Sequence, residues 1–386
     1  MVNNGNTWDG DLVLPSQVIY EDKTYTVTTI EWLAFTGCET LTRVHIPATI
    51  SMIQHYAGFE DCKNPFYGCK NLKAIDVDPE NKWMCSVDGV LFNKEKTQLW
   101  CFPAAAKIEK YDVPKSVTWI GGDAFSGNNY LKELNLHNGV QTIGFGAFQG
   151  CENVESLTLP SGLTYISSGM FRNMSSLRSI TIPSSVWGMG EYAFYGCTSL
   201  ESVVLPEGLN SVGGQTFYGC TSLKSVKIPS SLADITNGMF YKCSALKNVK
   251  ISNGTTRISH SAFSGCTSLR TLDIPASVTG IFSFAFNGCK LDAIVIRGTL
   301  QHPHNSMFSG LDTSTPVYTQ SSQVGTLQAI YDGSVYPLEN HNQSVDVLSV
   351  PQAETSNGII YDLDGRHVNN AKTGVHILNG KKVLLK

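Results

Sequence analysis

Charge is scarce in this chain. Only 16% of its 386 residues are Asp, Glu, Lys or Arg, against about 25% in an ordinary soluble protein. The 28 basic and 32 acidic residues leave a net charge of −4 and a pI near 6.1, so there is no broad basic field to hold a phosphate backbone and no nucleic-acid partner is expected. Long apolar runs are missing too. None reaches the roughly 18 residues a bilayer span requires, so no transmembrane span is expected. The opening Met1-Val2-Asn3-Asn4-Gly5 has neither a basic n-region nor an apolar h-region. That leaves either a protein that stays inside the cell or a mature chain whose signal peptide has been removed.

Reaction motifs are absent as well. There is no Gly-x-Ser-x-Gly elbow and no phosphate-binding Walker loop. Gly144, Gly146 and Gly150 miss the dinucleotide fingerprint because Gln149 occupies the third glycine position. His302-Pro303-His304 has no nearby Cys or Asp pair to complete a zinc site. Asp362-x-Asp364-Gly365 begins like a calcium loop, but Thr373 stands where the bidentate Glu belongs. No catalytic residue, metal or cofactor is therefore expected. An enzyme would need an acid–base cluster near Asp78, Glu80 and Asp88.

What the chain does have is a period. Phe125, Phe148, Phe171, Phe194, Phe217, Phe240, Phe263 and Phe286 follow one another at 23 residues, a spacing that marks a repeat architecture. Gly-Cys follows the Phe at Gly196-Cys197, Gly219-Cys220, Gly265-Cys266 and Gly288-Cys289. Leu200, Leu223, Leu246 or Leu269 comes three residues later, then Val203-x-Leu205-Pro206, Val226-x-Ile228-Pro229 or Leu272-x-Ile274-Pro275. Ile143, Ile166, Ile235, Ile258 and Ile281 close their units.

Leu-x-x-(Val/Ile/Leu)-x-(Ile/Leu)-Pro is the strand signature of a leucine-rich repeat. Alternation sends Val203 and Leu205 to one face and Ser202 and Val204 to the other. Pro206 and its equivalents lack the N–H needed to continue a ladder and end each strand. A turn or 3₁₀ segment then delivers Phe and Cys inward. One unit cannot bury this face alone, so the coils must stack. The expected fold is an α/β repeat: a right-handed leucine-rich repeat solenoid with a parallel sheet on one face, short turns or 3₁₀ segments opposite, and a small C-terminal β appendage.

The period breaks twice. Phe35 to Phe66 is 31 residues, and Phe66 to Phe125 is 59. The second gap holds Asp88-Gly89-Val90-Leu91-Phe92-Asn93, Lys94 to Thr97 and Gln98-Leu99-Trp100-Cys101-Phe102-Pro103, which reads as a β-hairpin grown from a modified repeat. Beyond Phe286 the pattern decays, Met307-Phe308-Ser309-Gly310 being its last echo. Strand-like alternation returns around Asp364-Gly365 and Asn379-Gly380, both hairpin-turn signals.

Copies such as Ile143-Gly144-x-x-Ala147-Phe148-x-Gly150-Cys151-x-x-Val154-x-x-Leu157-x-Leu159-Pro160 resemble the BspA-like leucine-rich repeats of bacterial surface proteins, over roughly residues 10–310. Separately, Tyr361-Asp362-Leu363-x-Gly365-Arg366, Gly374-Val375-x-Ile377 and Asn379-Gly380-Lys381-Lys382 are similar to C-terminal sorting tails of secreted proteins. Together these resemblances imply an extracellular or cell-surface protein and a non-enzymatic, adhesin-like role. The expected division is 1–30 as an N-terminal cap, 31–310 as solenoid with the hairpin insertion at about 76–112, 311–350 as C-terminal cap and linker, and 351–386 as a small β appendage or sorting-like tail.

Eleven cysteines is an odd number, so at least one is unpaired unless a second chain supplies its partner. Cys197, Cys220, Cys243, Cys266 and Cys289 recur once per coil and are read as small buried apolar side chains with parallel Cβ vectors. Cys62, Cys85 and Cys101 fall outside that slot and are the disulfide candidates, most thiols being expected free.

Candidate ligand-binding positions follow from the outward columns of the strands. Ser156, Thr158, Ser179, Thr181, Ser202, Ser225, Lys227, Asn248 and Lys250 either just solvate the sheet or line a hydroxyl-rich groove for an extended protein or glycan. Lys224, Lys227, Lys242, Lys247 and Lys250 suggest a local basic patch. Tyr195, Tyr218 and Tyr241 should stack as a ladder, with Tyr67 as an outlying copy. If exposed, they suit sugar rings or a proline-rich segment. The expected function is binding of a host or bacterial protein or glycan through the solenoid face. The alternative is a structural spacer or display scaffold with no ligand of its own.

Overall fold

A computed structural model describes Trp8, residues 10–32, 34–54 and 64–341, and three further strands, Ile360–Tyr361, Gly374–Leu378 and Lys381–Leu385. The chain winds as a parallel β-solenoid of about 12 turns with a repeat of about 23 residues. The coils build two parallel ladders, one of strands three to six residues long at the Leu-x-x-Val-x-Ile segment and one mainly of two-residue strands at the closing Ile.

The longer strands form a wide sheet. One stretch runs Ser179–Thr181, Ser202–Val204, Ser225–Ile228 and Asn248–Ile251, another Thr271–Ile274, Ala293–Ile296, Val317–Thr319 and Val335–Pro337. The second stretch continues past residue 310, so the segment expected as cap still supplies rungs, together with the helix Val324–Gln328. Opposite lies a narrow ladder, in which Tyr165–Ile166 pairs with Gly188–Met189 and the latter with Ser211–Val212. Its single inward Ile, Val or Met per coil is the far wall of the core.

Turns between the ladders deliver the Phe. Two residues after it the backbone is left-handed, φ being +71° at Gly196 and Gly219 and +78° at Gly265, which is why the motif reads Gly-Cys. Asn173 and Lys242 take the same conformation where the glycine is missing. A second left-handed residue precedes the Phe, as at Tyr192 and Gln215. This excludes a 3₁₀ helix, whose residues all have negative φ. Only the last echo is helical, Asn305–Phe308 being 3₁₀.

The Phe rings form one column. Centroid separations are 4.8 Å for Phe171–Phe194, 5.3 Å for Phe194–Phe217 and 5.6 Å for Phe217–Phe240, close to the 4.7–4.9 Å spacing of paired strands. All are fully buried.

Met84–Val87, Val90–Asn93 and Gln98–Cys101 form an antiparallel meander rather than a single hairpin, and Gln98–Cys101 joins the narrow ladder by pairing in parallel with Trp119–Ile120. Both faces of this meander are covered. Val90, Phe92 and Leu99 face the long core that runs on to Val335, whereas Met84, Leu91, Trp100 and Cys101 face a smaller core built from Leu14 to Ile75. Alternation of period 2 over Val90, Leu91 and Phe92, with a register shift between Leu99 and Cys101, makes the meander one wall between two cores.

At the N-terminal end Gly10–Val13 pairs in parallel with Leu41–Ile46, and Gln17–Tyr20 forms a hairpin with Lys23–Thr26 across Glu21 and Asp22, both left-handed. The three C-terminal strands form their own antiparallel sheet. The Asp362–Thr373 and Asn379-Gly380 features lie outside the described residues. Among the described residues no helix is long and apolar enough to cross a membrane.

Candidate functional site

The outward columns lie where alternation puts them. Ser179 pairs with Ser202, Ser202 with Ser225 and Ser225 with Asn248, while Lys227 pairs with Lys250. Ser156, Thr158, Ser179, Thr181 and Ser202 are exposed, whereas Ser225 and Asn248 are half-buried. Val204 interrupts the polar stripe with an apolar side chain that is 63% exposed.

One part of this face is concave. A depression of about 510 Å³ is lined by Ser156, Thr158, Ser161, Ser179, Thr181 and Ser184, with Leu157, Leu159, Ile180 and Pro183 beneath. It sits where the wide sheet is interrupted. The pair Lys110–Asp112 and Glu133–Asn135 ends, and the next four-stranded stretch starts at Ser179–Thr181. The intervening rung keeps a single bridge, Ser156 to Ser179. Four of the expected binding residues thus converge on one neutral, hydroxyl-lined recess, and Ser202, Ser225, Lys227, Asn248 and Lys250 extend away from it.

Two of the five lysines of the basic patch expected over residues 224–250 are paired with carboxylates. Lys224 pairs with Glu201, which lies one coil back in the same column, and Lys227 Nζ lies 2.5 Å from Glu207 Oε1. Each lysine holds its carboxyl below the ordinary value by donating a hydrogen bond to it. Arg178 and Glu155, at 3.6 Å, and Lys132 and Glu109, at 3.0 Å, repeat the pattern. Opposite charges one coil apart sit roughly 4.8 Å apart along the stack, so a column of mixed sign pairs with itself.

Tyr195, Tyr218 and Tyr241 do stack, with centroids 4.6 and 4.8 Å apart and planes within 13°. They are half-buried, and their faces are used. Arg172 lies over Tyr195 at 5.0 Å and Lys242 over Tyr241 at 5.5 Å. The ladder therefore offers edges and hydroxyls rather than open rings. Tyr67 stands apart, its hydroxyl accepting a hydrogen bond from Gln149 Nε2 at 3.1 Å.

One pair of neighbouring exposed aromatics was not singled out from the sequence: Tyr165 and Trp187, with ring centroids 5.2 Å apart at 44°. The signal was an aromatic in a slot that other coils fill with Thr164, Asn210 or Thr256. The one-residue offset between positions 165 and 187 within the repeat hid the pair.

The cysteines are chemically quiet. All ten described cysteines are free thiols, Cys85 and Cys101 included, which removes these two as a disulfide pair; Cys62 lies outside the described residues. Burial pushes the thiols of Cys151, Cys197, Cys243 and Cys289 up to about 12. Nor does an acid–base cluster form in the insertion. Asp78 Oδ1 accepts the Glu80 N–H at 2.9 Å and caps a turn, while Asp88 occupies the left-handed corner of a hairpin. Among the described residues no three His, Cys, Asp or Glu side chains converge as a metal site would require.

Comparison with known proteins adds the following. No curated protein matches the chain. Among solved structures it is similar to a leucine-rich repeat protein from Bacteroides ovatus ATCC 8483, with 24% identity, 85% of this chain and 91% of the other covered, and a TM-score of 0.49. A leucine-rich repeat protein from Eubacterium ventriosum ATCC 27560 is 26% identical, with a TM-score of 0.46, and the match covers 65% of this chain and 59% of that one. A leucine-rich cell surface protein from Faecalibacterium prausnitzii A2-165 is 24% identical over 84% of this chain and 91% of its own, with a TM-score of 0.41. Six copies of the BspA-type leucine-rich repeat region match residues 22–80, 95–204 and 188–315, most of the described solenoid. The match spans most of the coils that carry the inward Phe, the Gly-Cys turn and the proline-closed strand, and the chain belongs to the BspA-type leucine-rich repeat family.

Proposed function

We propose that this protein is a non-enzymatic interaction module of the bacterial surface, binding an extended protein or glycan segment in the recess of the wide sheet. The observation that carries this reading is the convergence of Ser156, Thr158, Ser179 and Thr181 on one concave, uncharged surface. Short hydroxyls lose little rotamer entropy on binding and serve as both donors and acceptors. Solenoids commonly present such faces to extended partners. The likeness of residues 358–386 to sorting tails supports an exported protein, and the Faecalibacterium protein is described as a cell surface protein.

The test is a screen against arrayed matrix proteins and glycans with the full chain, followed by Ser179→Glu combined with Thr181→Glu. Both side chains are exposed, so the fold should survive. Loss of the hit in the double variant supports the recess as the site. Unchanged binding excludes it, and the absence of any reproducible hit favours a spacer that displays other domains.

A further inference from the structure

We propose that the narrow ladder carries a second and separate site, an aromatic platform made by Tyr165 and Trp187 that stacks a ring of a neutral oligosaccharide. Isolated exposed aromatics are ordinary on protein surfaces. These two differ in being neighbours, ring against ring at 5.2 Å, with Trp187 50% and Tyr165 37% exposed.

The backbone beneath the platform is fixed. The main-chain N–H of Trp187 donates to the Thr164 carbonyl at 3.1 Å, and the Trp187 carbonyl accepts from the main-chain N–H of Asn210 at 3.0 Å. Tyr165 pairs in register with Gly188. A Cβ at Gly188 would lie 2.9 Å from Tyr165 Cε2, so only glycine on that rung leaves room for the tyrosine ring to lie across it. A tyrosine ring seated on its rung binds with less loss of side-chain freedom than a mobile one.

The surroundings choose the ligand. At these outward positions the neighbouring rungs carry Gln141-Thr142, Thr164 and Asn210-Ser211, all hydroxyls or amides. The next rungs bring Asp234 and Arg257, which pair with each other at 2.8 Å. A pyranose presents C–H groups on its faces and hydroxyls around its rim. It therefore matches two π-faces bordered by uncharged donors and acceptors about one rung, roughly 4.8 Å, away. Stacked nucleobases would need cations for their phosphates, and the one cation named on these rungs, Arg257, is paired with Asp234. Proline-rich segments dock in aromatic-lined grooves, whereas this pair stands on an open ladder.

Isothermal titration of the full chain with cellohexaose, xylohexaose, mannohexaose, maltohexaose and chitohexaose tests the proposal. At least one should bind. Trp187→Ala or Tyr165→Ala should weaken that binding about tenfold with an unchanged thermal midpoint. Gly188→Ala keeps both aromatics but displaces the Tyr165 ring, and should weaken binding as well. Ser179→Glu with Thr181→Glu, on the other sheet, should leave it intact, which separates this site from the recess. The proposal fails if none of the five sugars binds, or if Trp187→Ala binds as well as the parent. It also fails if only sulfated or sialylated glycans, or a proline-rich peptide, occupy the platform.

Discussion

The Sγ of Cys220 donates to the carbonyl oxygen of Phe194, one coil back, at 3.2 Å. That oxygen also accepts the N–H of Cys197 from its own turn, so both of its lone pairs are used. The link recurs from Cys69 to Phe35, from Cys151 to Phe125, and at each coil from Cys197 to Cys289. Parallel stacking thus aims each sulfur at a neighbouring carbonyl rather than at a neighbouring sulfur. It also gives each buried thiol proton an acceptor, on an oxygen that the backbone N–H of its own turn already satisfies.

Native thiols should resist modification at pH 8, because burial holds those of Cys151, Cys197, Cys243 and Cys289 near 12 and the thiolate is the reactive form. Among the described cysteines Cys85, half-exposed, should label first. Labelling of at least ten thiols in denaturant is expected, and a count of two or fewer would show disulfides.

Stability should fall in alkali. These thiols keep their protons in the folded chain up to about 12, whereas the unfolded chain loses them near the ordinary value of 9.0. The unfolded state therefore binds fewer protons between those values, and stability drops as pH rises through that window while staying flat with respect to these groups below it. The slope is up to about 1.4 kcal/mol per pH unit for each thiol. Circular dichroism melts at pH 7, 8.5 and 10.5 check this, and an unshifted midpoint at pH 10.5 would contradict it.

Phe217→Ala should cost about 3–5 kcal/mol, since the ring is fully buried between Phe194 and Phe240. Coils interact mainly with their neighbours, so denaturant unfolding of the variant should broaden or split. A sharp, unshifted transition would mean that the Phe column is not the core.

Asn128 stands in the cysteine slot of its coil. It is fully buried, donates to the carbonyls of Pro103 and Ala106, and accepts the N–H groups of Tyr130 and Leu131. Asn81 does the same for Pro47, Ile50, Trp83 and Met84. Asn128→Ala should destabilise by about 3 kcal/mol, and Asn128→Cys should not rescue it, a thiol having one proton to give to two carbonyls. Chemical denaturation of the three proteins decides the point.

Lys224 and Lys227 spend their charge on Glu201 and Glu207. Exposed pairs contribute little, so Lys224→Ala should not shift the thermal midpoint measurably. Heparin should not be retained at physiological salt. Retention abolished by that substitution would reinstate a basic binding patch.

Much of this was legible in the sequence. A contact between residues 23 apart, such as Phe194 with Phe217 or Ser179 with Ser202, is inherited from the repeat, and alternation alone assigns inward and outward sides. The pairing of Glu201 with Lys224 was also written there, as opposite signs in one slot, but adding up the lysines of a segment conceals it. The two-faced burial of the meander was not legible, because Val90, Leu91 and Phe92 are all apolar and periodicity does not say that a second core waits on the other side.

By itself, then, the sequence determined the coil length, the aromatic plug, the Gly-Cys turn and the direction of each strand side chain. All of these are set by spacing along a one-dimensional repeat. Tertiary structure decided where the wide sheet opens into a recess, that the tyrosine faces are consumed by one another and by Arg172 and Lys242, and that Trp187 leans beside Tyr165. Those outcomes depend on side-chain direction and on rungs that break the average, and neither is encoded in a period.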